Sequence, residues 1–321
     1  DIEREGDLIE EIGRMLGYNA IPYELPVMNI SSNNEDPQIA FTDAARKTFA
    51  HLGFVETVSF PFVALTDLKQ LRFNAQHPVS FVVPLANPIA EEMSHMQPLP
   101  SINLLKALVN NRRRGIAGCR LFEVARGCYD YRAVEPQWND YPSWSYLRRP
   151  AQHLKTKAMG EKRPHEELYL AAVIDQPLCP KNWQSQEVSA DFHYGKAIIE
   201  NWFSDLGLAT PNFVRTTEYE FPHLDASGSA MIQVGGRTIG YVGELHPRIS
   251  AAMDLGDQDT PVIIEVAMNE MRAARKTEAI YSWQMPKFPP TTRDLALLVA
   301  ATPVMVALIA ASTVLRSGGH T

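Results

Sequence analysis

The sequence predicts an α+β fold, and three observations carry that prediction. Residues 81–130 run strand, turn, helix, strand, with the apolar period changing from two to about 3.6 on the way. The Gly235-Gly236 pair joins two apolar runs, 230–234 and 237–242, in the manner of a two-residue hairpin. Separate apolar runs at 168–174 and 262–266 read as core strands. With 321 residues, 45% of them hydrophobic, the chain can build a sizeable core as one large or two medium domains.

Taken in order, residues 1–18 read as an amphipathic helix with Leu8, Ile12, Met15 and Leu16 on one face and Gly17 as its stop. Asp7, Glu10, Glu11 and Arg14 share the other face, where Glu10 can pair with Arg14 and the like charges Asp7 and Glu11 repel by roughly 0.2–0.5 kcal/mol. On the residues alone this is a solvated helix face. Residues 23–37, rich in Pro, Asn and Ser, read as a linker. A helix follows over 39–52, with Phe41, Ala44, Ala45, Thr48, Phe49 and Leu52 inward and Gly53 as its cap, and then a strand over 56–63.

Phe81-Val82-Val83 is a short strand stopped by Pro84, and 93–96 a second one ended by Pro98 and Pro100. From Ile102 the period is helical, with Leu104, Leu105, Leu108 and Val109 on one side. Arg112, Arg113 and Arg114 fall in its last turn, where cations suit the helix dipole, and Gly115 ends it. This cluster is either a helix end or a contact to a partner chain or nucleic-acid phosphate. Leu121 to Ala125 then reads as a buried strand carrying one carboxylate, Glu123. Residues 131–164 lose periodicity and gather Trp138, Tyr141, Trp144 and Tyr146 beside Arg148, Arg149, Lys155 and Lys157. They read as a long hairpin or insertion that either packs its own aromatics or stacks on RNA. Residues 191–206 form a helix with Ile198, Ile199, Trp202 and Phe203 inward.

Composition excludes several classes. A net charge of −7 argues against a broad nucleic-acid-binding face and leaves room for a local basic patch. Three cysteines, at 119, 128 and 179, suit neither a disulfide framework nor a zinc site and fit a reducing cytoplasm. No apolar run is long enough to span a membrane. The nine histidines show no metal spacing, G-x-S-x-G is absent, and the glycines from 235 to 243 lack dinucleotide-loop spacing. His246 before Pro247 reads as a turn residue. The chain opens at Asp1 and ends on Ser317-Gly318-Gly319-His320-Thr321, as expected of a piece of a longer protein.

Leu85-x-Asn87-Pro88-Ile89 with Glu92-Met93-Ser94, Asn110-Asn111-Arg112-Arg113, and Leu121-Phe122-Glu123-Val124 stand in an order that resembles the bacterial phenylalanyl-tRNA synthetase beta subunits. So do Asp1-Ile2 with Asp7-Leu8-Ile9-Glu10-Glu11-Ile12, Gly17-Tyr18-Asn19 with Ile21-Pro22, and Asp191-Phe192 with Lys196 and Glu200. The string Gly236 to Pro247, with Ile239-Gly240 and Gly243-Glu244-Leu245-His246, is the most particular of these matches. Residues 223–230 depart from the family's usual L-H-P-G-R-S-A-like run, which leaves their role open.

That resemblance implies the tail of a small helical domain over 1–25, a linker over 26–37, and an antiparallel-sheet, class II aminoacyl-tRNA synthetase-like module over 38–284. The start of a ferredoxin-like anticodon-binding domain follows over 285–321, announced by Pro286-Lys287-Phe288-Pro289 and Arg293-Asp294-Leu295-Ala296. It implies magnesium held by Asp1, Asp7, Glu10 and Glu11 at the contact with a catalytic alpha subunit, in a heterotetramer of two alpha and two beta subunits. The assembly would attach phenylalanine to tRNA using ATP. This chain would be structural and without catalytic residues. Where class II enzymes carry Phe-Arg-x-Glu, it has Arg120-Leu121-Phe122-Glu123, and its Gly-rich strand leads into Glu-Leu-His-Pro where an arginine-bearing helix is needed. Two alternatives stand beside this reading: a competent class II enzyme with degenerate motifs, and an interaction or regulatory paralogue that has left the synthetase.

Overall fold

The structure is a computed structural model and describes residues 2–25, 36–130, 144, 164–177, 181, 183–184, 186–255 and 260–274. Residues 285–321 and, apart from Trp144 and Pro164, the 131–164 stretch lie outside the described residues, as do the expectations made for them.

Helix α1 spans Glu5–Leu16 and a short 3-10 turn follows at Tyr18–Ala20. Helix α2, Pro37–His51, starts where Asp36 accepts a hydrogen bond from the Gln38 amide at 2.8 Å and Pro37 takes the first helical position. Strands β1 (Val55–Glu56), β2 (Phe62–Val63) and β3 (His95–Met96) are short. Helices α3 (Leu65–Gln70) and α4 (Ser101–Arg113) precede the long strands β4 (Arg120–Tyr129) and β5 (His165–Ile174). Then come α5 (Phe192–Asp205), β6 (Asn212–Arg215), β7 (Leu224–Val234), β8 (Arg237–Leu245), α6 (Pro247–Ala252), β9 (Val262–Ala267) and α7 (Met268–Ala273).

Seven strands form one sheet in the order β1-β4-β5-β9-β8-β7-β6, antiparallel except for the parallel β1–β4 pair. Alternation along each strand sends side chains to two separate cores. On one face Leu170, Ala172, Ile174, Val262, Ile264 and Val266 meet α2 and α5. There Phe49 lies edge-on to Trp202 at 4.9 Å, and the Trp202 indole donates to the Ala45 carbonyl. On the other face Tyr169, Ala171, Val173, Tyr241 and Ile263 meet α4 through Leu104, Leu105 and Leu108. The sheet is therefore covered on both sides.

Several expectations need correction. The 56–63 strand is two pieces in different sheets, because the Ser59 amide and hydroxyl turn aside to bond Glu123. Residues 81–83 form no strand; a 3-10 turn at Pro78–Ser80 precedes them, and only Pro84 bridges to His95. In α2, Ala44 faces outward. His246 caps a helix, since its Nδ1 accepts the Arg248 amide at 3.1 Å and α6 follows directly. The Gly-rich strand thus does lead into a short helix carrying Arg248, contrary to the reading of 243–247.

Candidate functional site

The acidic positions singled out in the sequence sit on α1, except Asp1, which lies outside the described residues. Asp7 closes the start of the helix: its Oδ2 accepts the amides of Glu3 and Arg4, both at 2.9 Å. Its Oδ1 accepts no hydrogen bond from the described residues. Glu11, not Glu10, pairs with Arg14, at 2.7 Å, because the i, i+3 spacing brings that carboxylate under the guanidinium. Glu10 is exposed. No group of three acidic, His or Cys side chains is gathered tightly enough for a metal among the described residues. The donors are nonetheless oxygen atoms of the kind magnesium prefers. Releasing Glu11 from Arg14 costs little, since an exposed pair of this kind contributes about 0–1 kcal/mol.

Two polar residues of β4 that the sequence singles out, Glu123 and Arg120, are bonded to neighbouring elements. Glu123 is buried and accepts the Ser59 amide at 2.8 Å and the Ser59 hydroxyl at 2.7 Å. Arg120 donates to the Tyr194 hydroxyl at 3.2 Å. Glycines on β8 permit close strand packing. A Cβ at Gly240 would lie 2.1 Å from the Glu265 carbonyl oxygen, and one at Gly243 would lie 2.3 Å from the Ser229 Cβ. Both Gly235 (φ 57°) and Gly236 (φ 75°) have the positive φ that a tight I′-type turn requires.

A second polar constellation went unnoticed in the sequence because it spans three distant segments. Glu265, on β9, lies directly opposite Tyr241 of β8, whose hydroxyl donates to it. The Ser101 hydroxyl donates to the same carboxylate at 2.8 Å, and the Ser101 amide at 3.4 Å. A carboxylate from the sheet thereby closes the start of α4, which has no cap of its own at Pro100. Burial pushes the Glu265 carboxyl up to about 7, and the Tyr241 and Ser101 bonds pull against that rise. Glu167 is likewise pushed up to about 7 by burial, opposed by a 3.0 Å bond from Asn269.

At the other end of α4, Arg112 holds the fully buried Asp175, with Nε 2.7 Å from Oδ1, and also bonds the Leu255 carbonyl. Of the arginine cluster, Arg112 is thus a fastening, and Arg113 reaches only the exposed Asp254. A cleft of about 310 Å³ lies between α3, α4 and α6, lined by Gln70, Lys106, Val109, Asn110, Arg113 and Met253. Lys106 is already paired with Asp67 there. No helix among the described residues is long and apolar enough to cross a membrane.

Comparison with known proteins bears on this arrangement directly. A phenylalanine–tRNA ligase beta subunit of Moorella thermoacetica is 30% identical over 320 residues, covering 100% of this chain and 35% of that protein. Its counterpart in Mannheimia succiniciproducens is 32% identical over 300 residues, covering 94% of this chain and 33% of that protein. The chain thus spans about a third of the length of the curated relatives it matches. Among solved structures, pyrrolysyl-tRNA synthetase from Desulfitobacterium hafniense superposes with a TM-score of 0.51 at 14% identity, over 83% of this chain and 76% of that one. This likeness concerns the fold alone. The profile described as phenylalanyl tRNA synthetase beta chain CLM domain matches residues 21–267. That match takes in every strand of the seven-stranded sheet, and the chain belongs to this family.

Proposed function

We propose that this chain is the catalytically silent, class II-shaped part of a phenylalanine–tRNA ligase beta subunit, and that it pairs with the alpha subunit that performs aminoacylation. The assembly would use ATP and magnesium to attach phenylalanine to tRNA in the cytoplasm, as two alpha and two beta subunits. One observation carries the silent role: both sheet faces are closed by apolar packing. α4 is clamped over one of them at both ends, by Glu265 and by the Arg112–Asp175 pair. ATP and an amino acid need a concave site to enter, and apolar packing over both faces leaves the sheet none of its own. The helical tail of 1–25, the module of 38–284 and the ferredoxin-like start at 285 are part of the same proposal.

The exposed surface fits a pairing role. Ile39, Val55, Val58 and Phe60, on and beside α2 and β1, are more than half exposed. Apolar area of this kind favours association at about 25 cal/mol per Å² buried. On α1, the acidic face of Asp7, Glu10 and Glu11, together with Asp1, would hold magnesium whose remaining ligands come from the partner. The ion would supply charge neutralisation between two acidic surfaces. Its apolar face, Leu8, Ile12 and Met15, would pack against the rest of the small helical domain.

Sedimentation of the chain with the alpha subunit of the same organism, with magnesium or with a chelator, tests this reading. A larger complex that weakens on chelation is expected. No association in either condition would overturn the pairing role. Phenylalanine-dependent ATP–pyrophosphate exchange by the chain alone would favour a competent enzyme instead.

A further inference from the structure

Trp144, the one described residue of 131–163, is 2% exposed and lies among rings contributed by other parts of the chain. It stacks on Phe221 at 5.2 Å and 28°, meets His77 edge-on at 5.3 Å and 87°, and lies 5.9 Å from Tyr241. Its indole N–H donates to the Glu220 carbonyl at 3.0 Å. Behind these walls Phe73 packs on both His77 (4.7 Å) and His223 (4.9 Å), and His223 packs on Tyr241 at 5.1 Å.

The walls are held by bonds that do not involve Trp144. The Val79 amide donates to His77 Nδ1 at 3.2 Å, so the ring proton sits on Nε2 and is given to the Glu220 carbonyl at 3.0 Å. Tyr241 is fixed through its hydroxyl to Glu265. His223 is fully enclosed with neither ring nitrogen hydrogen-bonded, so it stands in the wall as a ring with one donor and one acceptor unspent. Walls tied down in this way keep their shape when the occupant is removed, and a ring-lined hollow with a carbonyl at one edge suits a small aromatic molecule that bears an N–H.

We propose that Phe73, His77, Phe221, His223 and Tyr241, with the Glu220 carbonyl, form a receptor for a planar aromatic group bearing one N–H donor, filled in cis by Trp144. The ligand class is that of indole. The carbonyl supplies directionality and the rings supply the contact area. Because His77 also donates to that carbonyl, losing the indole N–H leaves no buried orphan, and the hydrogen bond sharpens selectivity only modestly.

The test is Trp144→Gly in the full-length subunit, titrated with indole and with 1-methylindole. Indole is expected to raise the melting temperature saturably in the variant and to leave the wild type unmoved. 1-Methylindole should bind about 2- to 10-fold more weakly, the range for one ordinary hydrogen bond. A folded variant that gives no saturable response, or a wild type that responds equally, overturns the proposal. Should the variant fail to fold alone, recovery of its near-ultraviolet circular dichroism only when refolded with indole supports the receptor. Failure to recover with indole present overturns it.

Discussion

Helices α1 and α4 are nearly the same length, 12 and 13 residues, and both carry an apolar stripe and arginine in the last turn. Their fates differ. α4 buries seven residues against the sheet, while α1 buries none, and Leu8, Ile12 and Met15 remain at least half exposed. Their arginines differ likewise: Arg112 meets an Asp175 with no solvent exposure, and Arg14 meets a half-exposed Glu11. A 12-residue helix is marginal in water without tertiary support. The same pattern therefore marks a buried face in α4 and an exposed one in α1, and nothing in the local sequence separates the two cases.

The largest test of that contrast is Asp175→Ala. It leaves the Arg112 guanidinium without its buried counter-charge and strands the Gly118 amide, which donates to Asp175 at 2.9 Å, and should cost about 3–5 kcal/mol in denaturant unfolding. Next comes the other end of α4. Because the folded state raises the Glu265 carboxyl from 4.5 to about 7, its contribution is fully present below pH 4.5 and lost as pH rises through 7. Between pH 5 and pH 8 the wild type should lose about 2–3 kcal/mol more than Glu265→Gln, which cannot titrate. Equal pH slopes would mean that Glu265 is not sealed beneath α4. The smallest effect belongs to α1: Ile12→Ala should change the unfolding of the sheet module by less than about 0.5 kcal/mol. A larger loss would mean that α1 is already part of the folded core.

His223 adds an opposing pH dependence within the same core. Burial lowers its imidazole to about 3, and that of His77 to about 4, so their contributions are present above pH 6.5 and fade as pH falls toward those values. Replacing the unpartnered His223 by Phe should therefore relieve part of the acid lability.

Elements with long, regular periods were legible in the sequence. α2, α5, β5, β8 and β9 lie within a few residues of where the apolar spacing placed them, while β7 starts at Leu224, six residues before the expected 230. β4 continues to Tyr129, four residues beyond the expected end at Ala125. The six-residue helices α3, α6 and α7 escaped because fewer than two turns cannot establish a 3.6 period. The 56–63 segment alternates like a strand, yet Ser59 is diverted by a carboxylate 64 residues away, which no local pattern records. Glu265 looked like an ordinary member of an apolar run. Its role depends on a cross-strand register with Tyr241 and on a helix start 164 residues earlier. The acidic face of α1 was legible as a set of charges, but its pairing, Glu11 rather than Glu10 with Arg14, depends on side-chain direction within the helix.

The β4–β5 ladder pairs ten residues on each strand without a break, from Arg120–Ile174 to Tyr129–His165. The chain leaves this ladder at Asp130 and rejoins it at Pro164, one strand spacing away. Closing a loop costs free energy only as the logarithm of its length, so going from a handful of residues to several dozen adds about 1–2 kcal/mol. A ladder this long absorbs that easily. The register of the two strands is thus fixed by their own pairing and by the core beneath them, whatever length of chain joins them.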